Sequence, residues 1–409
     1  MNRWSKYKRW LVATVGAIAL AFLALNPSQA QAKKFKIFLN LGYSGNAWQS
    51  EAANIVKALA ATPPYNKMID FKEIISGTSV PAQISTIQSM VAAGANGILI
   101  YPLSPTALNR AIEQACKKGV LVFAYDGTVT APCAYDVSYI TAGFGENTAQ
   151  ALVNMLHGKG NIFLSRGVPG TSTDLRHYEG AMSVFRKYPE IHIVDTYYGM
   201  WDDQITQTET AKALAAHPDV DGIWAQAGED GAIKALLATG RKRLIAITGE
   251  NSNGFRLALA NPAYQARGLI GVSSGSPPAS AGYAFKLMME VLTHKLALKA
   301  HRIQSPLPWV PWNKVKICKG DRFVGGCNAF PASKVPDSFV TQVFNPVLVP
   351  EISLESALTG KPTPGETIQP LPPTVTPAPP TPGINCEDCK AAPDLYRVFE
   401  VKPIPVPKS

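Results

Sequence analysis

From residue 33 to about residue 302, short β-branched runs alternate with amphipathic segments, and no other feature narrows the fold as much. Strands are predicted at Phe35–Asn40, Met68–Ile74, Gly97–Tyr101, Val120–Tyr125, Asn161–Ser165, His192–Tyr198, Gly222–Ala225, Leu244–Thr248 and Leu269–Val272. Between them lie helical segments. In "SPTALNRAIEQACKKG", for example, Ala107, Leu108, Ala111, Ile112 and Ala115 recur at helical spacing. Ser104 or Thr106 can cap its start, and Gly119 ends it. Strands alternating with helices require parallel sheets covered on both faces. Nine such strands in 409 residues fit two open sheets better than one small domain.

The two ends of the chain read differently. Arg3, Lys6, Lys8 and Arg9 precede the apolar run "LVATVGAIALAFLAL" and the small-residue stretch "SQAQAKK". That order marks a signal peptide over residues 1–32, with cleavage expected after Ala32. The apolar run is short for the ~20 residues that span a bilayer. No Cys stands at the cleavage point, so no lipid anchor is expected there. The leader holds four of the cations behind the formal charge of +10, so the remainder carries about +6. It shows no Lys/Arg run of the kind that binds nucleic acid.

Export places the six Cys where disulfides are allowed. Cys318 and Cys327 flank a short loop whose closure would contribute about 2–3 kcal/mol. Cys116 and Cys133 are candidates for a second pair. Cys386 and Cys389 form a CxxC in the tail. Two Cys do not complete a zinc site, so a local disulfide or an inert pair is expected. Beyond residue 302 the chain turns Pro- and Gly-rich, and "PTPGETIQPLPPTVTPAPPTPG" should be extended linker.

Ligands of open parallel sheets bind beyond the carboxyl ends of the strands. The segments found there are Tyr43-Ser-Gly-Asn46-Ala-Trp48, Asp126-Gly127, "RGVPGTSTDLRHYEG", "GMWDD" with Trp201, "QAGED" and "GENSNG". Rings, carboxylates and amides in combination suit a sugar. Its C–H faces lie on rings, a carboxylate accepts from hydroxyls, and an amide both donates and accepts. No phosphate-cradling Gly-rich loop or H-E-x-x-H metal spacing is present, so neither cofactor nor metal is expected.

These segments carry a family resemblance. "ANGILIYPLSPTALNRAIEQACKKGVLVFAYDG", "GVPGTSTDLRHYEGAM" and "AAHPDVDGIWAQAGEDGAIKAL" are similar to segments of periplasmic sugar-binding proteins of the ribose-binding type, the soluble receptors of ABC importers. The resemblance covers about residues 33–302. It implies an α/β chain of two doubly wound parallel-sheet lobes joined by three crossovers, with the ligand clamped between them. An irregular C-terminal extension would follow. The expected first lobe takes residues 33–142 and 276–302, and the second 143–275 and 303–350. Residues 351–409 would form a Pro-rich extended tail.

The resemblance also implies roles. Asn46 and Trp48 match the first-loop amide and ring, Asp126 the carboxylate after the fourth strand, and Trp201 the ring of the opposite lobe. Glu250 matches an Asp after the ninth strand. The family's cleft Arg falls on His177, with Arg176 beside it, and the usual Asn-Asp after "AQ" is replaced by Ala227-Gly228-Glu229-Asp230. Tyr43, Glu229 and Asn251 complete the expected ligand set. The expected partners are a sugar or similar polar ligand and permease subunits in the inner membrane. The protein itself would be periplasmic, monomeric and non-enzymatic.

Two other readings share these residues. A sensory protein of the same fold would dock on a chemoreceptor or kinase. A secreted hydrolase would use Ser273 of "GVSSG", a match to G-x-S-x-G. Pro277-Pro278 follows that motif where an elbow needs a helix, which argues against the hydrolase.

Overall fold

The computed structural model describes residues 33–138, 141–298, 301–304, 307, 309–321, 327–341, 348–371 and 401–407. The expected leader, Cys386, Cys389 and most of the Pro-rich tail lie outside the described residues.

Along the chain the strands are β1 (Phe35–Leu41), β2 (Ile69–Ile75), β3 (Gly97–Ile100), β4 (Leu121–Tyr125), β5 (Tyr135–Ser138), β6 (Gly160–Arg166), β7 (Ile191–Tyr198), β8 (Gly222–Ala225), β9 (Ala246–Gly249), β10 (Gly271–Ser274), β11 (Arg302–Gln304) and β12 (Trp309–Pro311). They form two six-stranded sheets, in the orders β11-β5-β4-β3-β1-β2 and β12-β10-β9-β8-β6-β7. All pairings are parallel except that of β12 with β10. The chain passes between the sheets three times: between Ser138 and Thr141, between Ser274 and Ala279, and between Gln304 and Trp309. Two doubly wound lobes joined by three crossovers are therefore observed.

Central strands are apolar on both faces because helices cover both. β3 and β8 are buried at every position, whereas the edge strand β2 is buried mainly at Ile69. The first lobe packs the helices Ala47–Ala61 and Ala279–Leu292 against its sheet through Ile37, Leu39, Ile55, Leu59, Phe285 and Met288. Cys116–Cys133 and Cys318–Cys327 are both bonded, with Cα atoms 6.4 and 5.0 Å apart.

The extension beyond β12 corrects two expected boundaries. Residues 303–350 do not belong to the second lobe alone. Phe330, Val335, Phe339, Leu348 and Val349 enter the first lobe's core, while Asn253 of the second lobe exchanges two hydrogen bonds with the Phe330 backbone. The same segment touches both lobes again nearby. The Val340 N–H donates to Glu51 Oε1 at 2.9 Å, and the Thr341 N–H and hydroxyl donate to the Asn251 carbonyl.

Nor does an extended tail begin at 351. Glu351 is buried against Lys286 at 2.8 Å, Asn54 donates to the Ala357 and Leu358 carbonyls, and the Ile368 N–H reaches the Pro63 carbonyl. A short apolar helix, Leu354–Thr359, supplies the contact surface. At the far end, "VKPIPVP" lies on the second lobe. Asn147 accepts from the Val401 N–H, while Asn154 and Tyr188 donate to the Lys402 and Ile404 carbonyls. Proline has no N–H, so this segment docks largely by accepting.

Candidate functional site

Both sheets have the strand order 2-1-3-4-5 or its equivalent, which reverses direction beside the first strand of each lobe. Loops at the carboxyl ends diverge there and leave a crevice. The two crevices face each other across a cavity of about 450 Å³. From the first lobe come Tyr43, Asn46 and Trp48 after β1, Tyr101 after β3 and Asp126 after β4. From the second come Thr173 after β6, Trp201, Asp202 and Asp203 after β7, Glu229 and Asp230 after β8, and Glu250 after β9. The extension adds Asp337, Ser338 and Val340.

The aromatic wall is braced. Trp48 is stacked on Tyr125, with centroids 6.3 Å apart and planes 10° apart. Its indole N–H donates to the Ser276 carbonyl at 2.8 Å. Tyr101 lies against both Tyr43 and Trp48. Asn46 caps the helix Ala47–Ala61 by accepting from the Gln49 N–H at 2.9 Å. Its oxygen is thus engaged, and its NH2 group is the part left to donate.

Opposite stands Trp201. Met200 and Trp201 have φ of 58° and 57°, a left-handed conformation that side chains other than Gly, Asn and Asp seldom adopt. The turn drives the indole over Gly167, where a Cβ would lie only 2.1 Å from the ring. Behind it, the indole N–H faces Gln226 Oε1 at 3.4 Å, and Gln226 donates to Asp174. Arg166 pairs with Asp174 and stacks on Tyr178 and Tyr198. The second lobe's nearby arginine is therefore spent holding the Trp201 loop. Trp201 also packs on apolar side chains of the first lobe, so the two walls meet.

Asp126 is buried and also has positive φ, 59°. Burial pushes its carboxyl up to about 6, although Ser276 and Thr173 beside it pull the other way. Glu229 is fully buried at the start of the helix Glu229–Ala238. Its Oε1 accepts from the Glu250 N–H at 2.7 Å, and burial raises it to about 7. Glu250 is raised well above the usual range by burial, then by the charges of Glu229 and Asp126. All three carboxyls line the same cavity, Asp126 from the first lobe and Glu229 and Glu250 from the second.

A raised folded pKa gives a definite sign. Asp126 and Glu229 hold their protons more tightly in the folded state than in the unfolded one. Their contribution to stability is present below the unfolded carboxylate range and is lost as pH rises through about 6–7. The melting temperature of the ligand-free protein should fall between pH 5 and 7.5 on this account. Glu229→Gln should flatten that fall and add on the order of 2–3 kcal/mol at pH 7.5. Calorimetric melts at several pH values check it, and parallel profiles for wild type and variant would rule Glu229 out.

Seven of the ten expected residues line the cavity: Tyr43, Asn46, Trp48, Asp126, Trp201, Glu229 and Glu250. Three do not. His177 is fully buried, stacked on Phe144 with ring centroids 4.1 Å apart. The helices Thr141–Met155 and Ser172–Phe185 meet so tightly that a Cβ on Gly145 would lie 2.0 Å from the His177 carbonyl. Their contact draws the imidazole into the lobe, and burial lowers it to about 3, which keeps it neutral. Arg176, its neighbour on the helix, is likewise absent from the cavity lining. Asn251 is buried and faces the Gly275 carbonyl at 3.5 Å, while its backbone carbonyl holds Thr341.

Tyr101, Thr173, Asp202 and Asp203 were missed as site residues. Tyr101 could have been found, since it ends its strand as Asp126 follows its own. Asp337, Ser338 and Val340 had no signal, because the extension has no repeating pattern. Ser273 is a structural hydroxyl. It donates to the Glu250 carbonyl at 2.9 Å, accepts from Arg256 at 2.9 Å and is fully buried. Among the described residues no group of three or more His, Cys, Asp or Glu is arranged to hold a metal ion.

Residues 37–296 match the family model described as a periplasmic binding protein domain. The chain belongs to the periplasmic binding protein family. Curated relatives include the xylitol-binding protein of Mycolicibacterium smegmatis, 26% identical over 41% of this chain and 49% of that protein. The D-xylose-binding periplasmic protein of Escherichia coli is 28% identical over 42% of this chain and 54% of that one. The chain thus spans about half the length of these two relatives. An ABC transporter solute binding protein from Thermobispora bispora superposes with a TM-score of 0.62 at 26% identity, covering 83% of this chain and all of that one. Periplasmic binding proteins are a binding family rather than an enzyme family, in keeping with the structural role of Ser273.

Proposed function

We propose that this periplasmic binding protein is the soluble substrate-binding component of an ABC importer, exported by its leader, and that it takes a sugar or similar polyol. The observation that carries this reading is the cavity itself. Aromatic rings and carboxylates enter it from both lobes, with Trp48 and Asp126 on one side and Trp201, Glu229 and Glu250 on the other. The xylitol- and xylose-binding relatives and the Thermobispora solute binding protein support the same ligand class and the same transport role.

Binding favours the closed form only through contacts made to both lobes at once. Permease subunits in the inner membrane would then receive the closed, monomeric protein. The ligand-binding set proposed here is Tyr43, Asn46, Trp48, Tyr101, Asp126, Trp201, Glu229 and Glu250.

A thermal-shift screen of residues 33–409 against monosaccharides, sugar alcohols, nucleosides and small amides tests the reading. A ligand specific for the folded state raises the melting temperature with the logarithm of its concentration over Kd. A sugar or polyol hit is expected. Hits confined to the nucleosides or amides would overturn the ligand class. With a hit in hand, Trp201→Ala should weaken binding about tenfold by removing one stacking face, and Trp201→Phe should restore part of it. Equal affinity for wild type and Trp201→Ala in a calorimetric titration would remove Trp201 from the site.

A further inference from the structure

The charge lining the cavity is one-sided. Among its described lining residues seven are carboxylates, and one, Lys234, is a cation. Lys234 is committed at the rim, where it bridges Asp230 and Asp337. Asp202 caps the helix Asp203–Ala216 by accepting from the Gln204 and Ile205 N–H groups. Arg166 is bound to Asp174 behind the wall. No described lining cation other than Lys234 stands with Asp126, Glu229 and Glu250, which enter the cavity from the two lobes.

A second observation points to what is absent from this balance. Glu229 is fully buried, and only its Oε1 is satisfied. Its Oε2 has no hydrogen-bond partner among the described residues. A buried carboxylate oxygen without a partner is costly. Around the same space stand Tyr43, Trp48, Tyr101 and Trp201, and aromatic faces attract cations. Asn46 and Thr173 supply neutral polar contacts.

We infer that the ligand is a cationic polyol, an amino sugar or amino alditol whose ammonium group is held between Glu229, Glu250 and Asp126 while its hydroxylated carbons lie on the rings. This inference rests on the proposed polyol-binding function and narrows it to ligands that carry an amine. The ammonium gives the clamp its closing force. Burial disfavours the ionised forms of Asp126, Glu229 and Glu250 in the empty cavity, and a cation between them restores those forms and attracts groups of both lobes. Three donor hydrogens on the ammonium match the three carboxyl groups.

The test is calorimetric titration of residues 33–409 with amino sugars and amino alditols, each beside the counterpart bearing a hydroxyl in place of the amine. The amino member of the binding pair should bind at least about tenfold tighter than its counterpart. In Glu229→Gln that preference should fall to within about threefold, whatever the change in affinity for the hydroxyl counterpart. Asp126→Asn provides a second variant with the same expectation of a reduced preference. Hydroxyl members that bind as tightly as, or tighter than, their amino partners overturn the charge assignment and leave the polyol reading in place. A panel in which no member binds overturns both.

Discussion

Asp126→Asn is expected to weaken ligand binding by about 30–150-fold while the protein stays folded. A hydrogen bond to a charged group contributes ~2–3 kcal/mol, and Asn keeps the shape but loses the charge. The choice of Asn matters. At φ 59° Ala would add backbone strain, whereas Asn tolerates the left-handed region as Asp does. Binding and folding are thereby separated. Removing a carboxyl that burial already pushes up to about 6 should leave the melting temperature unchanged or slightly higher. Titration of the best ligand from the thermal-shift panel, with melts of both proteins alongside, checks this. Unchanged affinity would take Asp126 out of the site; a large fall in melting temperature would make it structural.

Lys286→Met is expected to destabilise the protein by about 3–5 kcal/mol, because it leaves Glu351 buried without its ion partner. Both side chains are almost wholly enclosed, 1% and 0% exposed, with Nζ and Oε1 2.8 Å apart. Lys286 Nζ also donates to the Leu348 carbonyl at 3.1 Å. This pair therefore fastens the extension to the helix Ala279–Leu292. The double variant Lys286→Met/Glu351→Leu should recover most of the loss, since two apolar side chains carry no buried charge. Urea midpoints of the three proteins decide the matter. A single variant as stable as wild type would show that the extension is held without this ion pair.

The fold was legible where the chain repeats itself. Nine predicted strands appear within a few residues of their observed positions, because central parallel strands such as "GILI" and "GIWA" are apolar on both faces and stand out. The strands missed, β5, β11 and β12, are three or four residues long and lack the unbroken apolar run that marks the equally short β3 and β8. β11 and β12 are edge strands as well. The extension was illegible for a related reason. Its apolar residues, Phe330, Phe339 and Val349, enter the core singly from irregular chain, so nothing in their spacing predicts which lobe they serve.

The site divides in the same way. Loop residues placed by the carboxyl-end rule, Asn46, Trp48, Asp126, Trp201, Glu229 and Glu250, do line the cavity. Residues placed by alignment onto a helix were less secure. One helical turn separates Thr173, which lines the cavity, from His177, which the tight packing at Gly145 holds inside the lobe. The lining from the extension, Asp337 to Val340, depends on tertiary placement that no local pattern encodes.

Amide hydrogen exchange on residues 33–409, with and without saturating ligand, tests most directly that one ligand bridges both lobes. Protection should rise together in residues 43–49 of the first lobe and in residues 200–204 and 229–231 of the second. Protection confined to one lobe would contradict a ligand clamped between the two.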